Sequence, residues 1–380
     1  MRYFIIAGEA SGDLHGSNLM REIKNTDREA EFCFLGGDMM SLAGGRPLIH
    51  YRQMAFMGIV SVILHLRTVL RNLYVCKKAL RTFSPDVLIL IDYPSFNLRI
   101  AKYAKQKLGL KVFYYISPKL WAWKEYRIKH IKALVDNMFC IFPFEIDFYK
   151  KHDYTKTLYV GNPLMDAIDA RPEKGEPFSA FVRRNKLEQK PVVALLAGSR
   201  KKEIADNLPV MVSIMNEFPE CQFVVAGAPG IATSYYTQFV AGHNVKIVFG
   251  QTYALLQQAS AALVTSGTAT LETALLNIPQ VVTYNVKFGR IILFLYKILI
   301  HTPYFSLVNI ITEKPVVKEL LGSQVTQQAL KDELKSLLYN ISYRKQMLHE
   351  YQLLHKQLGS AGASKTAAEA MVQLLSSKVD

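Results

Sequence analysis

A chain of 380 residues, half of them apolar and a fifth charged, is too long for one hydrophobic core and too apolar for a disordered chain, so two globular domains are expected. With 46 Lys+Arg against 31 Asp+Glu the formal net charge is +15, which favours polyanionic partners: nucleic acid, anionic lipid or phosphorylated substrates. Cys33, Cys76, Cys140 and Cys221 form no C-x-x-C and no Cys/His cluster at metal-ligand spacing, so they read as buried thiols in a reducing compartment.

The chain opens on an apolar run, 3–7, preceded by a single basic residue, Arg2, and followed at once by a glycine-containing turn. This is a first β-strand and not a signal peptide, and it implies a cytoplasmic location. Further strands are expected at 31–35, 87–91, 112–116 and 138–142, alternating with helical patterns as in parallel βαβ sheets. The run Val87-Leu88-Ile89-Leu90-Ile91 is apolar throughout, the mark of a strand covered on both faces. Residues 171–190 are polar and carry Pro172, Gly175 and Pro177, a linker with a short helix. A second series follows at 192–196, 222–226, 245–249, 262–265 and 281–284. From Gln324 onward only helical patterns remain, and the last of them, 363–377, is a candidate to return to the first lobe. The expectation is an α/β protein of two Rossmann-like lobes, 1–170 and 191–340, whose parallel sheets face each other across a cleft, with C-terminal helices.

In open α/β sheets ligands collect at the carboxyl ends of the strands, and four polar clusters lie there. Gly8-Glu9-Ala10-Ser11-Gly12-Asp13-Leu14-His15-Gly16 ends the first strand. Its glycine spacing matches neither the dinucleotide fingerprint nor a P-loop, which counts against NAD and ATP, and Ser11 is misplaced for a nucleophile elbow. It reads either as a turn capped by Ser11 or Asp13 or as a glycine loop, with Glu9, Ser11 and Gly12, through which an acceptor approaches the backbone. Asp92-Tyr93-Pro94-Ser95 ends the 87–91 strand, with Pro94 placed to open a helix. Asp92 is either a turn residue or the general base that a sugar transfer with inversion requires.

Gly198-Ser199-Arg200 offers a diphosphate backbone N–H groups at a helix start and a guanidinium, with Arg200 stabilising a departing nucleotide. The alternative is a solvated basic helix start. Ser266-Gly267-Thr268-Ala269-Thr270-Leu271-Glu272 supplies a second phosphate-binding helix terminus. If Thr268 caps it, Glu272 falls outside the capping box and is free to accept ribose hydroxyls. Gln251 reads as a uracil contact or a helix cap, and Asn309 as a further group facing the leaving-group charge. No D-x-D motif or dense carboxylate cluster suggests a metal site, so neither metal nor cofactor is expected.

Taken together these motifs resemble the lipid-A-disaccharide synthase family along nearly the whole chain. The resemblance rests on 7–13, Phe56-Met57-Gly58, Ile91-Asp92-Tyr93-Pro94, Ser117-Pro118 with Trp121-Ala122-Trp123, Gly198-Ser199-Arg200, 266–272 and Val317-Lys318-Glu319-Leu320-Leu321. It implies the two-lobed GT-B fold and a metal-independent transfer of 2,3-diacylglucosamine from UDP to the 6-hydroxyl of 2,3-diacylglucosamine 1-phosphate (lipid X). By the resemblance Asp92 is the base, while Ser199, Arg200, Gln251, Ser266, Gly267, Thr268, Glu272 and Asn309 surround UDP. The chain departs from the family's pattern at Ala197, Asn162, Val308 and Ser61.

Lipid substrates require a bilayer surface. The longest apolar runs, 56–66 and 291–300, fall short of the ~17–25 residues of a spanning helix and are flanked by cations. Core helices and shallow insertion into anionic headgroups are the two readings, with Ile63, Leu64, Leu66, Arg67 and Arg71 as the membrane contact. The enzyme would then be peripheral on the cytoplasmic face of the inner membrane, with a homodimer left open. The rivals are a UDP-sugar epimerase of the same fold and a basic nucleic-acid-binding protein; the basic residues form no aromatic-interleaved stripe, so no nucleic-acid partner is expected.

Overall fold

The computed structural model describes residues 1–54, 66–122, 125–285 and 303–377. The chain divides into two units, one formed by Met1–Asp166 with the stretch from Ser360, the other by Ala167–Gly359.

The first unit holds a seven-stranded parallel sheet in the order β3-β2-β1-β4-β5-β6-β7, where β1 is Arg2–Ala7, β2 Glu31–Gly36, β3 Arg46–His50, β4 Val87–Ile91, β5 Lys111–Tyr115, β6 Asn137–Cys140 and β7 Thr157–Tyr159. β1 and β4 are buried at nearly every position, because helices cover both faces of a parallel sheet. On one face lie the helices Leu66–Phe83 and Pro94–Leu108, contributing Leu73, Cys76, Leu80, Ile100 and Ala104. On the other lie helix Ala10–Thr26, through Leu19, Met20 and Ile23, and the C-terminal helix Ala363–Ser376, through Ala367, Ala368 and Met371.

That last helix is anchored by the Asp166 carboxylate, which accepts the N–H groups of Gly362 (2.6 Å), Ala363 (3.1 Å) and Ser364 (2.8 Å). These are orphan donors of a helix start, so a side chain distant in sequence caps it.

The second unit holds a six-stranded parallel sheet in the order β10-β9-β8-β11-β12-β13. Here β8 is Val192–Leu196, β9 Gln222–Gly227, β10 Lys246–Phe249, β11 Ala259–Thr265, β12 Gln280–Tyr284 and β13 Lys318–Leu321. Helices Gln327–Tyr339 and Ile341–Leu358 complete it.

In each sheet the strand order reverses at one place: between β1 and β4 in the first, and between β8 and β11 in the second. Loops leaving such neighbours diverge to opposite faces and open a crevice at the carboxyl ends. Every cluster singled out in the sequence after a strand of these two pairs lies at one of these two switch points.

Candidate active site

At the first switch point the loop after β1 and the loop after β4 lie side by side. Gly8 is required there by close approach: a Cβ on it would stand 2.3 Å from Cγ of the Tyr93 ring. The following helix begins at Ala10 with Glu9 as its cap residue, whose side chain makes no capping bond. Neither Ser11 nor Asp13 caps it, which corrects that reading of the turn. Asp13 reaches across to another segment instead, accepting from Gly37 N (2.7 Å), Met39 N (3.1 Å) and Met40 N (3.1 Å), and so is consumed in joining the first helix to helix Asp38–Ala43. Ser11 is exposed and Gly12 buried, with Gly12 packed against Ala7.

Asp92 and Tyr93 both adopt left-handed backbone, at φ 41° and 46°. For two successive non-glycine residues this costs roughly 1–3 kcal/mol each and persists only where the surroundings impose it. The imposing groups are visible. The Asp92 carbonyl accepts from Asn97 Nδ2 and from the Tyr114 hydroxyl, both at 2.6 Å, and the Tyr93 hydroxyl donates to the Met54 carbonyl at 2.5 Å. The backbone is tied down and the half-buried carboxylate is presented. Burial raises its pKa above the ordinary aspartate range, while the Lys119 charge and the Tyr93 N–H pull it partly back. A carboxylate made more basic in this way suits proton abstraction near neutral pH.

At the second switch point Gly198 takes φ 117° and turns β8 into helix Lys201–Val212. The Ser199 N–H donates to Glu203 Oε2 at 2.9 Å, and Arg200 Nη1 pairs with Glu203 Oε1 at 2.7 Å. Glu203 therefore occupies donors that a phosphate would use. After β11, helix Thr268–Leu275 is capped by Gly267 rather than Thr268, so Glu272 lies still further from the capping-box position. The Ser266 hydroxyl donates to the Phe305 carbonyl at 3.1 Å, and Thr268 is exposed. Tyr253 donates its hydroxyl to Glu272 Oε1 at 2.9 Å. Burial raises the Glu272 carboxyl, offset in part by this bond.

Two expected UDP contacts have other partners here. Gln251 exchanges a reciprocal amide pair with Asn185, both bonds 3.1 Å. The Asn309 side chain is buried and fully used: Nδ2 donates to the Val317 carbonyl and to Glu319 Oε1, and Oδ1 accepts from Val317 N, each at 2.9 Å. In this arrangement both N–H groups of the amide are taken, and the bonds hold helix Leu307–Thr312 against β13 and the segment entering it.

The profile of the family described as lipid-A-disaccharide synthetase (LpxB) matches residues 3–373.

The chain belongs to the lipid-A-disaccharide synthetase family.

It is 34% identical over 383 residues to the lipid-A-disaccharide synthase of Geobacter metallireducens, covering 99% of this chain and 98% of that one. Against the enzyme of the same name from Syntrophus aciditrophicus it is 36% identical over 378 residues, covering 98% and 97%. Among solved structures, UDP-GlcNAc 2-epimerase from Neisseria meningitidis bound to UDP-GlcNAc superposes with a TM-score of 0.70 at 14% identity, over 98% of this chain and 100% of that one. The glycotransferase of kitacinnamycin does so with 0.64 at 12% identity, over 98% and 99%. These structural likenesses establish the GT-B fold, and the family match separates the chain from the epimerases that share it.

For this member of the lipid-A-disaccharide synthetase family, sequence reasoning passed over Tyr253, Glu203, Lys119 and Glu145. Glu145 is buried after β6 and accepts from Trp121 Nε1 (3.2 Å), Ile141 N (3.0 Å) and Phe142 N (3.1 Å). Burial pushes its carboxyl up to about 7 against those bonds. An acidic residue three places into a helix, after a strand, was the available signal. Of the expected membrane contact, Ile63 and Leu64 lie outside the described residues, as does 291–300. Leu66, Arg67 and Arg71 are exposed on helix Leu66–Phe83. Among the described residues no group of three or more His, Cys, Asp or Glu side chains is placed to hold a metal ion, and no helix is long and apolar enough to cross a membrane.

Proposed function

We infer that this protein is an inverting glycosyltransferase, a lipid-A-disaccharide synthase. It transfers 2,3-diacylglucosamine from its UDP ester to the 6-hydroxyl of lipid X, giving the β-1,6 disaccharide 1-phosphate and UDP. The observation that carries this reading is the family match over residues 3–373, with a desolvated carboxylate, Asp92, at the switch point of the first sheet.

The Asp92 carboxylate accepts the proton of the acceptor's 6-hydroxyl as O6 forms its bond to the anomeric carbon. On the opposite side the bond from that carbon to the diphosphate oxygen breaks, and the electron pair leaves with UDP. The growing charge on UDP meets Arg200, the Ser199 N–H and the helix start at Gly267 and Thr268. Glu272 takes the ribose hydroxyls, and Gln251 contacts uracil by exchanging its bond to Asn185. Glu9, Ser11 and Gly12 border the acceptor. The first unit is thereby the acceptor lobe and the second the UDP-sugar lobe.

Incubation with UDP-2,3-diacylglucosamine and lipid X is expected to release UDP and a disaccharide in equal amounts. Release of UDP-sugar isomers without a disaccharide would instead support the epimerase reading. Because the net charge is +15, a filter-binding titration near physiological salt tests nucleic acid, and no affinity is expected.

Helix Leu66–Phe83 supports peripheral attachment to an anionic bilayer at the cytoplasmic face. Leu66, Leu70 and Tyr74 are 48%, 54% and 68% exposed, one stripe at four-residue spacing, and Arg67, Arg71, Lys78 and Arg81 are exposed beside it. Such a stripe suits shallow insertion, each cation adding ~1 kcal/mol at an anionic surface. Replacing Leu66, Leu70 and Tyr74 with serine is expected to reduce salt-sensitive sedimentation with anionic vesicles and to leave UDP affinity intact. Unchanged sedimentation would place the contact elsewhere.

A further inference from the structure

The loop that leaves β5 places a cation where the base alone does not need one. Ser117, Pro118 and Leu120 are buried, and Trp121 is held by Glu145 through its indole nitrogen at 3.2 Å and by Phe144 edge-on at a ring separation of 5.0 Å. Lys119 stands exposed between these anchors. Its carbonyl accepts from Ala122 N at 3.1 Å, while among the described residues its ammonium has no hydrogen bond or ion pair, and its charge is the one that acts on the Asp92 carboxyl. A second cation arrives from the turn Glu125–Arg127. Arg127 Nη2 donates to the Ser95 hydroxyl at 3.3 Å, and its charge acts on Tyr114, whose hydroxyl holds the Asp92 carbonyl. The nearby acid Glu125 pairs with His152 at 3.0 Å.

A lysine beside a general base lowers its basicity, which works against proton abstraction. The acceptor explains its presence. In a hexose 1-phosphate, O6 and the phosphorus are separated by six bonds through the ring oxygen, so they lie at most about 7 Å apart at ordinary bond lengths. With O6 on Asp92 the phosphate must sit beside Asp92 as well.

We propose that Lys119 and Arg127 form the seat of the acceptor's 1-phosphate and select the acceptor by charge. This rests on the synthase reading. The two residues differ from Arg200 and Ser199 in facing the acceptor and not the departing diphosphate. The hydroxyl of Ser95, already bonded to Arg127, lies on the same turn as Asp92 and is a third group within this seat.

The test is steady-state transfer by wild type, Lys119→Ala, Arg127→Ala and the double variant. Each is measured with lipid X and with 2,3-diacylglucosamine lacking the phosphate. Expected is a rise in the lipid X KM of roughly tenfold or more, the loss that follows removal of a charged hydrogen-bond partner. The donor KM stays constant, and at pH values above the acid limb set by Asp92 wild type and variants become equal on the dephosphorylated acceptor. Lys119→Arg retains most of the wild-type preference. Unchanged melting temperatures show that the fold is intact; a variant that melts early is replaced by Lys119→Gln. Equal losses on both acceptors, or a rise confined to the donor KM, would overturn the proposal while leaving the synthase reading in place. A wild type that transfers to neither acceptor would overturn both.

Discussion

At the first switch point the main chain is tied down and the carboxylate is left to act: Asn97 and Tyr114 hold the Asp92 carbonyl. At the second switch point it is the binding groups that are in use, since Glu203 takes both the Ser199 N–H and the Arg200 guanidinium, and Tyr253 takes Glu272. On the proposed assignment, one topology supports a reacting group fixed in advance and a nucleotide seat whose donors are exchanged from a carboxylate to a phosphate. Affinity at the second site is then a difference between two sets of bonds, whereas basicity at the first is set by burial.

The largest expected effect tests the first half of this contrast. Asp92→Asn keeps the fold and UDP affinity and lowers kcat by roughly 10² to 10⁴, the range for loss of a general base; near-wild-type turnover would remove Asp92 from that role. Next, Arg200→Ala and Glu272→Ala weaken UDP binding in calorimetry by roughly ten- to a hundredfold, from lost charged hydrogen bonds. Unchanged affinity in both would put the nucleotide elsewhere.

Glu203→Gln separates the two sites most directly. A neutral amide competes less strongly than a carboxylate for Ser199 and Arg200, so UDP binding tightens by about threefold. A loss of affinity would show that Glu203 is needed to shape the turn, and the exchange idea would fail.

The smallest effect is in the pH profile. As the proposed base Asp92 must be ionised, so kcat/KM is expected to fall as pH falls through its pKa, which burial raises above the ordinary aspartate range. Removing the Lys119 charge, which opposes that rise, moves the acid limb to higher pH. An unmoved limb would dissociate the two groups.

The central strands were readable because burial on both faces forces continuous apolar runs, as in β4. The three strands that escaped, β3, β7 and β13, all belong to sheet edges. β3 reads Arg46-Pro47-Leu48-Ile49-His50 and is largely uncovered; proline is tolerated there because an edge need not donate from every residue. Asp92 was readable as a carboxylate ending a central strand. Lys119 and Arg127 were not, because only the packing of Trp121 on Glu145 and the turn at Glu125 bring the Lys119 charge to bear on Asp92 and Arg127 to Ser95. The partners of Asn309, Val317 and Glu319, were not legible either, because an exposed amide and a buried one spell the same letter.

The capping of the C-terminal helix by Asp166 has a consequence for synthesis on the ribosome. The first unit's sheet emerges early, yet the helix that covers Ile5, Phe113 and Phe139 is made only after all of Ala167–Gly359. At translation rates of ~5–20 residues per second that wait is roughly 10 to 40 s. During it the second unit, whose residues are contiguous, can close on itself, while the half made first lacks part of the cover of the face on which helix Ala10–Thr26 packs. The second unit can thereby complete its core before the first, and a chain truncated before Ser360 is expected to lose the integrity of its beginning before that of its end.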